Sequence, residues 1–136
     1  MEHSDSNGVN QQKTVGLIGV VDDDESVRES ISSLLRSAGF RTLMFASAEE
    51  FLEFDHGQKA DCLLLDMRMP GLSGLELQQR LLELQRPTPI IFVTAHSDDQ
   101  VRTKALQQGA VAFFGKPFNE DELLGAIQSA LETRVV

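Results

Sequence analysis

The sequence predicts an α/β domain built on a five-stranded parallel sheet, doubly wound with helices on both faces. Three observations predict it. Short runs rich in Val, Ile, Leu and Phe recur along the chain, at Val15–Val21, Arg41–Phe45, Cys62–Leu65, Ile90–Val93 and Val111–Phe114. Between them lie segments with helical apolar spacing and helix start signals. The third and fourth runs are continuously apolar rather than alternating, which suits strands covered on both faces. A length of 136 residues fits one domain with a core large enough to need no disulfide or structural metal.

Taken in order, residues 1–14 are polar and lack periodicity, so they read as a flexible N-terminal tail ahead of a folded domain at 15–136. Gly16 and Gly19 weaken the first strand and blur its edges. Val27, Ile31, Leu34, Leu35 and Ala38 mark one face of the first helix, and Gly39 follows as its stop. Ser47 with Glu50, Ser73 with Glu76, Ser97 with Gln100, and Asn119 with Glu122 have the spacing of capping boxes or close relatives of them. The fourth helix is poor in apolar residues, with little beyond Val101, Ala105 and Leu106. The last shows Leu123, Leu124, Ile127 and Leu131 at core spacing.

Composition excludes several classes of function. With 12 Lys+Arg against 21 Asp+Glu, the net charge of −9 opposes a nucleic-acid or anionic-membrane surface. The one cysteine, Cys62, rules out an internal disulfide and reads as a buried, inert thiol within a strand. The polar start is neither signal peptide nor anchor, and no apolar run approaches the ~18 residues of a membrane span. A soluble, cytoplasmic protein is expected.

In an open α/β sheet, ligands sit at the carboxyl ends of the strands. Here the first strand ends in Asp22-Asp23-Asp24-Glu25, the third in Asp66, the fourth in Thr94 and the fifth in Lys116-Pro117. Carboxylates converging there raise one another's pKa unless a cation neutralises them, and an all-oxygen site beside a phosphate favours Mg²⁺. Lys116 and Thr94 are suited to receive phosphoryl oxygens, and a carboxylate can itself accept the group as an aspartyl phosphate.

The strings VVDDDESVR, LLLDMRMPGLSG, FVTAH and GKPF, in this order, resemble the receiver domain of two-component response regulators, and DMRMPGLSG followed by VTAH resembles the FixJ-like subfamily. The resemblance spans Val15 to Glu132. It implies a flavodoxin-like (βα)5 fold with strand order 2-1-3-4-5. It makes Asp66 the phosphoacceptor, with Mg²⁺ held by Asp23, by Asp22 mainly through water, by Asp66 and by the backbone carbonyl of Arg68. Lys116 and Thr94 would hold phosphoryl oxygens, and Phe113 would be the switch aromatic that responds when Thr94 moves inward. A cis peptide is expected at Lys116-Pro117. The implied partner is a sensor histidine kinase. The implied output face is the fourth helix, fifth strand and fifth helix, with possible homodimerisation through the fourth helix and fifth strand on phosphorylation. FixJ-like proteins continue into a DNA-binding domain, so a stand-alone receiver and a segment of a transcription regulator are both open readings.

Other residues have plainer assignments. Asp24 and Glu25 suit a solvated helix start, Gly71 and Gly74 serve turn geometry, and His96 is a loop histidine near the acceptor. His3 and His56 fall in the tail and a loop. Two rival functions use part of the same set. A haloacid-dehalogenase-type phosphatase would want a second Asp where Arg68 stands. A pseudo-receiver would lack the intact acidic pair, acceptor, Thr94 and Lys116.

Overall fold

The computed structural model describes residues 16–54, 60–96 and 98–135, with side chains as far as Glu132. The expected tail, Val15, His56 and Ser97 lie outside the described residues. Strands β1 (Leu17–Val21), β2 (Arg41–Phe45), β3 (Cys62–Leu65), β4 (Ile90–Thr94) and β5 (Ala112–Gly115) alternate with helices α1 (Glu25–Ser37), α2 (Ala48–Phe54), α3 (Gly74–Glu83), α4 (Asp99–Gln107) and α5 (Glu120–Val135). All strand pairs are parallel, in the order β2-β1-β3-β4-β5. The expected strands are all present, and the ends differ by one or two residues at β1, β4 and β5.

The period-two geometry of a strand explains why β1, β3 and β4 are apolar throughout. Leu63, Leu65, Ile90 and Phe92 enter one core with Phe51 of α2, Leu77 and Leu81 of α3 and Ala105 of α4. Their neighbours Cys62, Leu64, Ile91 and Val93 enter the other, with Ile31 and Leu35 of α1 and Leu123, Ile127 and Leu131 of α5. Cys62 is buried, as expected. Ala38, expected on the apolar face of α1, is instead its exposed C-cap. Among the described residues, no helix is long and apolar enough to cross a membrane.

The caps set where helices begin. Ser73 and Glu76 form a reciprocal capping box on α3. Ser47 Oγ accepts from Glu50 N at 3.0 Å, while Glu50 reaches one residue further back, to Ala46 N. Asn119 Oδ1 accepts from Glu122 N at 2.9 Å. For α4 the cap is Asp98, whose Oδ1 accepts from Gln100 and Val101. The Ser-x-x-Gln spacing points one residue too early, since the side chain that accepts from the free N–H groups of the first turn is that of Asp98.

Strand order reverses between β1 and β3, which opens a crevice at their carboxyl ends. Gly74 lets α3 start close beneath it. A Cβ there would run into the Asp66 carbonyl oxygen and lie 3.0 Å from the Phe92 ring. Gly74→Ala is therefore expected to lower the unfolding free energy by about 1–3 kcal/mol, read from the urea midpoint at constant slope.

Candidate functional site

Asp22 follows the last residue of β1, and its backbone N–H donates to Phe45 O at 3.2 Å, so the strand ladder runs straight into the site. Asp66 is fixed likewise, its N–H donating to Val21 O at 3.0 Å. Both carboxylates are nearly buried, with Asp22 2% and Asp66 7% exposed, whereas Asp23 is exposed. One oxygen from each of Asp22, Asp23 and Asp66 lies within 4.8 Å of the others.

Asp22 is the most tightly held of the three. Its Oδ1 accepts from Asp24 N at 2.9 Å, and its Oδ2 pairs with Lys116 Nζ at 3.2 Å. Arg28, one turn into α1, donates Nη1 to the Asp22 carbonyl at 2.7 Å. The sequence reading missed this clamp, whose only linear trace is a basic residue six positions after Asp22. Asp24 is the N-cap of α1. Hydrogen bonds from the Ser26 hydroxyl and the Val27 N–H hold its carboxyl below the usual carboxylate range.

Asp66 has the opposite perturbation. Burial, and next the charge of Asp22, push its carboxyl above the usual range. A hydrogen bond with the Thr94 side chain, the charge of Lys116 and the Met67 N–H, 2.8 Å from Oδ1, act against that rise without cancelling it. Thr94 is fully buried, and its hydroxyl also accepts from His96 N at 3.0 Å. Phe113 is half-buried, its ring 5.9 Å from that of Phe92. The Lys116-Pro117 peptide is cis, and Lys116 N donates to Thr94 O at 2.9 Å. The Arg68 side chain is exposed between the buried Met67 and Met69.

The residues fit a hard divalent cation. The donor set is all oxygen, and a carboxyl raised by a like charge gains from a cation placed among the acids. Asp22, Asp23 and Asp66 would hold such an ion, with Lys116 and Thr94 left beside Asp66 for a second anionic group. Haloacid-dehalogenase chemistry finds less support, since the position two after Asp66 is an exposed arginine.

Similarity to known proteins gives the family. The profile of the response regulator receiver domain matches residues 18–128. The response regulator protein TmoT of Ectopseudomonas mendocina is 50% identical over 125 residues, covering 91% of this chain and 56% of TmoT. The transcriptional regulatory protein FixJ of Bradyrhizobium diazoefficiens is 43% identical over 118 residues, covering 87% of this chain and 58% of FixJ. The chain thus spans little more than half the length of these relatives. The crystal structure of FixJ-N superposes with a TM-score of 0.80 at 38% identity, over 86% of this chain and 94% of that one. The strand order, the acidic crevice between β1 and β3 and these likenesses together make the chain a member of the response regulator receiver-domain family, of FixJ-like type.

Proposed function

We propose that the chain is a phosphorylation-controlled switch in which Asp66 accepts a phosphoryl group from a sensor histidine kinase in the cytoplasm. The observation that carries the reading is the convergence of Asp22, Asp23 and Asp66 within 4.8 Å, with Lys116 and Thr94 against the same cluster.

The Asp66 carboxylate attacks the phosphorus of phosphohistidine in line. The new O–P bond forms as the N–P bond breaks, and the imidazole leaves with the electron pair. Asp23, Asp66, the Arg68 carbonyl and, mainly through water, Asp22 would hold a Mg²⁺ ion, which would supply positive charge to favour ionised Asp66 and offset the charge of the transferred group. Lys116 leaves Asp22 Oδ2 to meet one phosphoryl oxygen, and the Thr94 hydroxyl donates to another. Phe113, half-buried beside Phe92, would turn in response, and this alters the face formed by α4, β5 and α5.

That face is the output surface in this reading, and a homodimer through α4 and β5 is one use of it. Its exposed residues include Thr103, Lys104 and Gln107, so such a contact would be polar and weak. With a net charge of −9, this segment does not bind nucleic acid itself. Control of transcription, which the transcriptional regulatory protein FixJ has in its name, is the output proposed for this switch.

Incubation of the chain with acetyl phosphate and Mg²⁺ is expected to add one phosphoryl group that hydroxylamine removes, read by intact mass. Chelation should prevent the gain. A chain that stays unlabelled with Mg²⁺ present would instead be a pseudo-receiver.

A further inference from the structure

The segment from Asp66 to Ser73 joins β3 to α3 and carries both the acceptor carboxylate and the Arg68 backbone. Besides the bonds of Asp66 and Ser73 at its ends, two contacts hold its course. On the inner side, Gly74 N donates to Met67 O at 2.9 Å. On the outer side the tether comes from another element, since Glu49 in the first turn of α2 accepts from Leu72 N through Oε2 at 2.9 Å. Gly71, at φ +79°, makes room for this contact, because a Cβ there would collide with the Glu49 carboxylate. The bond from Leu72 is the largest reason that the Glu49 carboxyl titrates below its usual range. An exposed carboxylate normally stays solvated and contributes little. Here one holds a defined backbone contact 23 residues away, on the loop that leads out of the site.

We propose that Glu49 is a positioning residue for the acidic site: by holding Leu72 it sets the path of residues 67–71 and so the place of the Arg68 carbonyl that would complete the ion's ligands. This rests on the reading of that site as one that binds Mg²⁺ and accepts a phosphoryl group. Glu49 touches neither ion nor phosphoryl group, so its effect should fall on the affinity for the ion and not on the transfer step.

The test compares Glu49→Ala, Glu49→Gln and Gly71→Ala in the full chain. Mg²⁺ binding is followed by titration calorimetry, because the chain has no Trp or Tyr to report it. Glu49→Ala is expected to weaken Mg²⁺ binding about three- to tenfold, the scale of one net hydrogen bond. The labelling rate at saturating Mg²⁺ should stay near that of the wild type. Glu49→Gln, whose amide oxygen can still accept from Leu72 N, should recover most of the affinity, and Gly71→Ala should behave like Glu49→Ala. Equal weakening by Ala and Gln would overturn the proposal in favour of a through-space charge effect. A lower melting temperature with unchanged Mg²⁺ affinity in Glu49→Ala would overturn it in favour of a helix-stabilising role. If the wild-type chain bound no Mg²⁺ and took no label, the functional reading would fail first, and the proposal with it.

Discussion

Asp66→Asn is expected to reduce labelling by acetyl phosphate to background while making the chain more stable in the absence of divalent ions. The first effect follows from the lost nucleophile, since a neutral amide at the same place cannot form the acyl phosphate. The second follows from the electrostatics of the crevice. Asp66 and Asp22 are buried side by side, and burial followed by the Asp22 charge raises the Asp66 carboxyl. A group whose pKa is raised on folding holds its proton more tightly in the folded chain. The wild type therefore loses stability as pH rises through the folded-state value and regains it on acidification. The asparagine variant has no such dependence at this position. Its advantage in chelator should be largest at neutral pH, roughly 2–6 °C in melting temperature for about 1 kcal/mol in a domain of this size, and should close as pH falls. Adding Mg²⁺ should stabilise the wild type more than the variant. Continued Mg²⁺-dependent labelling of Asp66→Asn would remove Asp66 as the acceptor.

Lys116→Ala should separate metal binding from phosphoryl retention. Lys116 Nζ is 3.2 Å from Asp22 Oδ2, so ammonium and divalent cation draw on the charge of the same carboxylate. Without the lysine, Mg²⁺ should bind several-fold more tightly in calorimetry, whereas labelling should fall sharply because no cation meets the incoming phosphoryl oxygen. In chelator the variant should unfold about 1–3 kcal/mol more easily. Asp22 keeps the Asp24 N–H on Oδ1, but its Oδ2 is left buried and unpaired. Parallel losses of Mg²⁺ affinity and labelling would instead make Lys116 a support of the acidic cluster.

The fold was legible in linear form because its strands are buried on both faces. Cys62–Leu65 and Ile90–Val93 carry apolar residues at every inward position of both cores, so the runs stand out whatever surrounds them. The cap of α4 was misread because two candidates, Ser97 and Asp98, stand side by side, and spacing does not say which carboxylate or hydroxyl faces the helix end. Ala38 was misplaced for a similar reason. Helical spacing continues past the residue at which the backbone leaves the helix.

The site was legible as a set of residue types but not as a set of contacts. That Asp22, Asp23, Asp66, Thr94 and Lys116 share one edge follows from strand ends in a parallel sheet, which sequence alone determines once the runs are recognised. That Lys116 rests on Asp22, that Arg28 clamps the Asp22 carbonyl and that the Thr94 hydroxyl accepts from His96 N are decided by side-chain packing in a crevice formed by four strands. Glu49 carries the contrast furthest. Locally it is an ordinary acid in the first turn of a helix, and the hydrogen bond it makes spans 23 residues. Apolar period and chain direction are local properties and survive in one dimension. The partner of a polar side chain depends on which elements the fold brings alongside it, and only the tertiary structure decides that.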